Sequence, residues 1–410
     1  MSVAEDIRNG ASAADVLEAA KADSFDRDEN GKVQKSPRNI RYALSRLGAS
    51  LWLDVFNEQA WLVWIDGEDV VNDERINRLR FAASDQFGIT FPKDLFYDVV
   101  MDSAFCNKRN PVHEYFDGLR WDGSMRIDRW ISTYFGAEDS PYVRGVSRVW
   151  LCAAAKRALE PGCKFDEMPV FESTKQGEGK SEGLAALCPE RSWFTDALPL
   201  GADSKVVVER TRGILIAEVS EMQGLGEREV EHIKAFLSCS SDGPVRLAYG
   251  RVPVRKPRQF VCAGTTNYVT DYLRDLTGNR RFWPITCRAT RVDELARDRD
   301  QLWAEAVAAV KAGESIRLPR TLWEAAAVQQ AARQSEDPWD DVLAEAIGAR
   351  DSIQSSEVWL ALGIDVKHRT QRENTRLGRA LRRLGFERVT IRVGSGTHKG
   401  WKRIPKQLEL

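Results

Sequence analysis

The 410-residue chain contains no C-x-x-C pair, and its four histidines complete no zinc-binding pattern. Its seven cysteines (Cys106, Cys152, Cys163, Cys188, Cys239, Cys262 and Cys287) are scattered, most of them in apolar surroundings. The pattern excludes a disulfide framework and predicts reduced core thiols in a cytoplasmic protein. No run is apolar for long enough to span a membrane, and the opening "MSVAEDIRNG" lacks the apolar segment of a secretory leader. A soluble protein without a membrane partner is expected. Charge of neither sign predominates: 60 Lys and Arg face 61 Asp and Glu, a formal net charge of -1. Only the distribution of charge can therefore point to partners. No internal repeat is visible.

What is present is enough apolar residue, 43% of the chain, for two or three cores. "SPRNIRYALSRLG" has a capping serine, a proline in the first turn and a closing glycine, and predicts a helix. "LWLDVFNEQAWLVWI" predicts two aromatic-rich strands in a hairpin, and "ERINRLRFAASDQFG" and "KDLFYDVVMDSAF" two amphipathic helices. The tryptophans here, Trp52, Trp61, Trp64, Trp121 and Trp130, read as core side chains. From about residue 142 to 333, buried strand patterns alternate with helices, which predicts a mostly parallel sheet covered on both faces. After a linker at "QSEDPWDD", three short helices and two strands around a glycine-rich turn predict a winged-helix module.

The chemistry is concentrated in "ESTKQGEGKS". The phosphate-loop pattern G-x-x-x-x-G-K-[ST] is met by Gly179, Lys180 and Ser181, but its first position holds Thr174. Gly177 and Gly179 permit the turn that points backbone N–H groups at an anion. Lys180 can reach phosphate and Ser181 a magnesium ion, while Glu178 and Glu182 complete the loop. Thr174 is tolerable if its φ is negative. The alternative is a polar turn that merely contains glycine and lysine. Further on, "ILIAEVSE" is a buried strand ending in Glu218 and Glu221, the carboxylates such a site needs. "FVCAGTTN" ends a third strand in Thr265, Thr266 and Asn267. "TGNRRFWPI" follows with Arg280 and Arg281.

These segments, with "VEHIKAFLS", "AYGRVPVRKPRQFVCAGTTN", "NPVHEYFDGLRWDG" and "RALEPGCKFDEMPV", resemble the virulence-associated E family of phages, plasmids and genomic islands. The resemblance implies an α/β fold: a superfamily 3 helicase-like AAA+ P-loop ATPase core, with a mainly helical N-terminal domain and a C-terminal winged helix. The expected boundaries are 1–120, 121–333 and 338–410. It further implies that ATP and Mg2+ are bound, with Ser181 and Glu218 on the metal. Glu218 is then the Walker B acid, Glu221 a second carboxylate for the attacking water, and Asn267 the sensor. Arg280 or Arg281 is a finger acting in a neighbouring subunit, and the sequence does not choose between them. Thr174 departs from the family's usual glycine. No paired acidic motif supports a primase in the N-terminal part, so any primase is a separate partner.

In related helicases a hairpin between the Walker B strand and the sensor grips single-stranded DNA. Here that segment carries Arg246, Tyr249, Arg251, Arg255, Lys256 and Arg258. Such a mixture suits strand binding, although Arg246 or Arg251 could equally face the nucleotide. In the C-terminal module Arg372, Arg376, Arg379 and Arg383 follow helical spacing as one basic stripe. The proposed wing adds Arg392, His398, Lys399, Lys402 and Arg403, so duplex DNA is the expected partner there. The expected activity is ATP-dependent DNA unwinding or translocation by a homo-oligomer, a hexameric ring. The alternatives are a non-unwinding ATPase that initiates or regulates replication, and one that senses DNA in anti-phage defence.

Overall fold

The structure is a computed structural model. It describes residues 24–404 except for 199, 223–226, 247–251, 271, 274–278, 334–336 and 394–395. The first helix, α1 (Pro37–Arg46), starts where the Ser36 side chain accepts from Asn39 N–H. This satisfies a donor that the helix cannot. β1 (Ser50–Asp54), β2 (Gln59–Trp64) and β3 (Gly67–Val70) form an antiparallel meander, and β4 (Lys108–Arg109) adds in parallel to β1. Between them run α2 (Asp73–Phe87), capped by Asn72, and α3 (Lys93–Cys106). Ile40, Leu44, Leu62, Leu79, Phe96 and Val100 close this first core.

The chain continues through α4 (Pro111–Gly118), α5 (Trp130–Phe135) and α6 (Pro141–Leu159). The central layer then begins with β5 (Met168–Glu172), followed by α7 (Lys180–Ala186), β6 (Phe194–Thr195), α8 (Ser204–Arg210) and β7 (Ile216–Val219). Next come α9 (Glu227–Ser238), a two-stranded ribbon of β8 (Ser241–Val245) and β9 (Val254–Pro257), then β10 (Val261–Thr266) and β11 (Phe282–Thr286). Five of these strands make one sheet in the order β11-β5-β10-β7-β6, every neighbouring pair parallel. Alternate residues face opposite layers, so Ile216 and Val261 join one core while Ala217 and Cys262 join the other. The first of these cores is completed by α6 and by α10 (Val292–Lys311), with Trp130, Trp150 and Trp303 fully buried. Each such side chain contributes roughly 2–3 kcal/mol through burial. The other face is covered by α9 through Val230, Ile233 and Leu237.

After α11 (Trp323–Ala331), Asp337 and Pro338 start α12 (Pro338–Ile347), the Asp337 side chain accepting from Trp339 N–H. β12 (Ser352–Gln354), α13 (Ser355–Ala361), α14 (Gln371–Arg383), β13 (Phe386–Val393) and β14 (Gly396–Arg403) complete the chain. Their antiparallel sheet runs β12-β14-β13 over a separate core of Leu343, Val358, Leu377, Leu381 and Trp401.

The expected alternation of strands and helices and the parallel sheet are both present. Of the tryptophans read as core, Trp52 and Trp130 are buried, but Trp121 is 42% exposed, its indole donating to Ser124 O of its own turn. Cys152, Cys188, Cys262 and Cys287 are buried, whereas Cys106 and Cys239 are exposed; none forms a disulfide. No helix among the described residues is long and apolar enough to cross a membrane.

Candidate functional site

A parallel sheet puts the ends of all its strands on one edge, and loops there converge. The loop after β5 and the tips of β7 and β10 meet at this edge, since β10 separates the other two. The register sets Glu172 beside Thr266 and Ala263 beside Glu218. A cleft of about 280 Å3 opens there, lined by residues 177–182, Glu218, Glu221 and residues 265–267.

Gly177 (φ 74°) and Gly179 (φ 75°) both lie in the left-handed region, which other residues enter at a cost. Glu178 is held between them, its carbonyl accepting from Thr290 N–H at 3.0 Å. Thr174 is exposed and lies outside the cleft lining. Among described non-glycine residues only Glu58 and Glu221 have positive φ, so the backbone at Thr174 needs no glycine. Glu221 (φ 51°) is a strained residue on the cleft rim.

Lys180 is buried, and its ammonium donates to Ser173 Oγ at 2.5 Å and Asn267 Oδ1 at 3.1 Å. Burial lowers its pKa from the ordinary lysine range, against the attraction of Glu178, Cys287 and Glu218. The carboxylate of Glu218 is also buried. Ser181 Oγ donates to Glu218 Oε1 at 2.8 Å and Thr265 Oγ1 donates to the same oxygen at 2.5 Å. Burial raises the Glu218 pKa, although both hydrogen bonds oppose it. The second carboxylate oxygen, Oε2, is buried without a hydrogen-bond partner. An unsatisfied buried carboxylate oxygen is costly, and a hard divalent cation is a group that satisfies it. No cluster of three or more His, Cys, Asp or Glu able to hold a metal occurs among the described residues. The donor set is thus one hydroxyl and one carboxylate, which suits Mg2+ with its remaining positions filled by phosphate and water.

Behind the loop lies a feature with no sequence signal. Glu172, the last residue of β5, is fully buried and pairs with Arg333 Nε at 2.9 Å. Tyr272 OH donates to Glu172 Oε1 at 3.2 Å, and Arg333 Nη2 donates to Thr286 Oγ1 at 3.0 Å. Burial pushes the Glu172 carboxyl up to about 7, despite Arg333. The pair joins positions 161 residues apart, which local sequence cannot reveal.

Several expected contact residues have other employment. Arg258, expected to track a DNA strand, is 4% exposed. It forms a two-pronged pair with Asp242, at 2.7 and 2.6 Å, and stacks over Phe236 at 3.9 Å. It is part of the ribbon's foundation, because a buried guanidinium must be matched within the fold. Lys256 is paired with Glu58 of the β1–β2 turn. Arg246 and Arg255 are exposed, while Tyr249 and Arg251 lie outside the described residues. Arg281 is half-buried against Asp166 at 3.3 Å, and Arg280 is exposed. In α14 the stripe is split. Arg376 pairs with Asp337 at 2.6 Å and Arg383 with Asp340 at 2.7 Å, so both brace α12. Arg379 and Lys399 line a separate cleft, and the side chain of Arg372 lies outside the described residues.

Residues 116–335, more than half of the chain, match the profile of the virulence-associated protein E-like domain. The chain belongs to this family. The matched region contains the whole five-stranded sheet and every residue of the sheet-edge cleft. No curated protein matches the chain in sequence. Among solved structures, the apo structure of the NrS-1 C-terminal region (305–718) aligns with a TM-score of 0.51 at 12% identity, covering 90% of this chain and 99% of that one. An A-form apo structure of the same region aligns with a TM-score of 0.48 at 11% identity, covering 90% and 100%. At such identity the first of these likenesses concerns the fold alone.

Proposed function

We propose that the chain is an ATP-driven DNA helicase or translocase serving replication of a phage or another mobile element. The observation that carries this reading is the convergence of Lys180, Ser181, Glu218 and Asn267 on one cleft at the ends of parallel strands. In this reading the sheet is a P-loop AAA+-like ATPase core, flanked by an N-terminal domain and a C-terminal winged helix. The amides of residues 177–181 and the Lys180 ammonium hold the phosphates. Ser181 and Glu218 hold Mg2+, which when bound neutralises charge on the phosphates. Glu221 and Asn267 orient the attacking water. Arg280 is exposed, whereas Arg281 is tied to Asp166 of its own chain; Arg280 is therefore the better finger for a neighbouring site. A trans finger implies a closed homo-oligomer, which we take to be a hexameric ring. The β8–β9 ribbon, with Arg246 and Arg255 exposed, is the element that tracks single-stranded DNA.

The test is ATP-dependent strand separation of tailed duplexes of each polarity, run beside DNA-stimulated ATP hydrolysis. Wild-type protein is expected to do both, and Lys180→Ala neither. Hydrolysis without separation on any substrate points to a regulator rather than a helicase. Wild-type hydrolysis by Lys180→Ala removes the site assignment altogether.

A further inference from the structure

The C-terminal module holds a second, larger cleft of about 1070 Å3 between α14 and the β13–β14 hairpin. Arg379 and Arg382 line one wall, and Arg388, His398 and Lys399 the other. Arg369 lines it too, its guanidinium over the Trp359 ring at 5.5 Å. Among the described residues the module itself contributes no carboxylate to this lining; the acid found there, Glu231, comes from α9. Like charges facing each other across a cleft repel and focus a positive potential, and a polyanion relieves both effects. Arg383, which also lines the cleft, is neutralised by Asp340, and its helix neighbour Arg376 by Asp337.

The kind of polyanion follows from what else the cleft presents. Sequence-tolerant single-strand binding relies on open aromatic faces for stacking. The cleft's tryptophans, Trp359 and Trp401, are only 5% and 4% exposed and cannot serve. Instead α14 offers an exposed polar side, with Gln371, Asn374 and Thr375 in the lining. Asn374 Nδ2 is occupied by Thr370 O at 2.9 Å, and the Thr375 hydroxyl by Gln371 O at 2.8 Å. Gln371 is the amide placed to read a base edge.

We infer that this cleft grips duplex DNA, with Arg382, Arg388 and Lys399 on phosphates and Gln371 reading a base in the major groove. The inference rests on the proposed nucleic-acid role of the C-terminal module and specifies which face performs it. Phosphate contacts set affinity and its salt dependence, while the glutamine sets preference.

The experiment uses the full-length protein and fluorescence anisotropy with a labelled duplex and the matching single strand over a series of salt concentrations. Arg382→Glu with Arg388→Glu is expected to weaken duplex binding by roughly tenfold or more and to lower the salt slope by about 2. Arg382→Lys with Arg388→Lys keeps the charge and should retain most of the affinity, which separates charge from folding. Gln371→Ala is expected to leave affinity for random duplex unchanged. It should flatten the preference that wild type shows in selection from a random-duplex pool. A control pair, Lys367→Glu with Lys402→Glu, reverses exposed charges outside the lining. If the control weakens duplex binding and the cleft pair does not, the cleft inference falls while the module's role stands. If neither pair changes binding, the module's role falls with it. Equal loss on single strand and duplex overturns the assignment to duplex.

Discussion

Ser181 Oγ donates a 2.8 Å hydrogen bond to Glu218 Oε1, joining the first turn of α7 to the tip of β7 across 37 positions of sequence. Two oxygens are thus held together at a cleft with a third, Glu218 Oε2, buried beside them without a partner. Replacing Glu218 by Gln keeps the shape and removes the charge that would hold Mg2+. The expected result is loss of hydrolysis by about 100-fold or more, since the metal's charge stabilisation is worth several kcal/mol. Binding of a fluorescent ATP analogue in the absence of Mg2+ should persist. Wild-type turnover by Glu218→Gln would remove this carboxylate from the chemistry.

The neighbouring arginines make different predictions because their surroundings differ. Arg280→Ala should lower hydrolysis by roughly 1,000-fold, the scale of an arginine finger. Activity should return when it is mixed with Lys180→Ala protomers that bring an intact Arg280. Arg281→Ala breaks the half-buried contact with Asp166 and should lower the melting temperature, as Asp166→Asn should too. Rescue of Arg281→Ala in mixtures, with none for Arg280→Ala, would reverse the two roles.

Arg258 supports the ribbon rather than meeting solvent. Arg258→Ala strands Asp242 without its counter-charge and is expected to cost about 3–5 kcal/mol of stability. Urea unfolding followed by tryptophan fluorescence reads this as a lower midpoint. An unchanged midpoint together with weakened DNA binding would restore the strand-contact role.

Glu172 gives the fold a pH dependence. Its native carboxyl is raised to about 7 from an ordinary value near 4.5. The native state therefore holds that proton more tightly than the unfolded chain does. The resulting stabilisation is complete below the ordinary value and is lost as pH rises through about 7, amounting to about 3 kcal/mol. Unfolding midpoints from pH 4 to pH 8 should fall along this window in wild type. Glu172→Gln, which can still accept from Arg333, should flatten the decline. An identical slope in both proteins would assign it to other groups.

Local pattern was enough for the elements and for the motif residues. Ser36 announces its helix because a capping oxygen acts within three residues of itself. The apolar runs around Val170, Ile216 and Val261 announce buried strands for the same reason: periodicity is local. Lys180, Ser181, Glu218 and Asn267 were legible because each closes or follows such a strand. What the sequence left open was which charges remain available to a ligand. Arg258, Lys256, Arg376 and Arg383 read as basic contact surface, yet each is matched by Asp242, Glu58, Asp337 or Asp340. Helical spacing correctly put Arg376 and Arg383 on one side of α14, but only the packing of α12 made that side an internal one. The sequence by itself determined the strands, the helices and the phosphate-loop motif, whose signals lie within a few residues. Tertiary structure decided the strand order that brings Glu218 to Ser181, the buried Glu172–Arg333 pair, and the division of arginines between braces and clefts. A charge's partner is chosen by distance in space, and here that distance closes across gaps from 16 residues (Arg258 to Asp242) to 198 (Lys256 to Glu58).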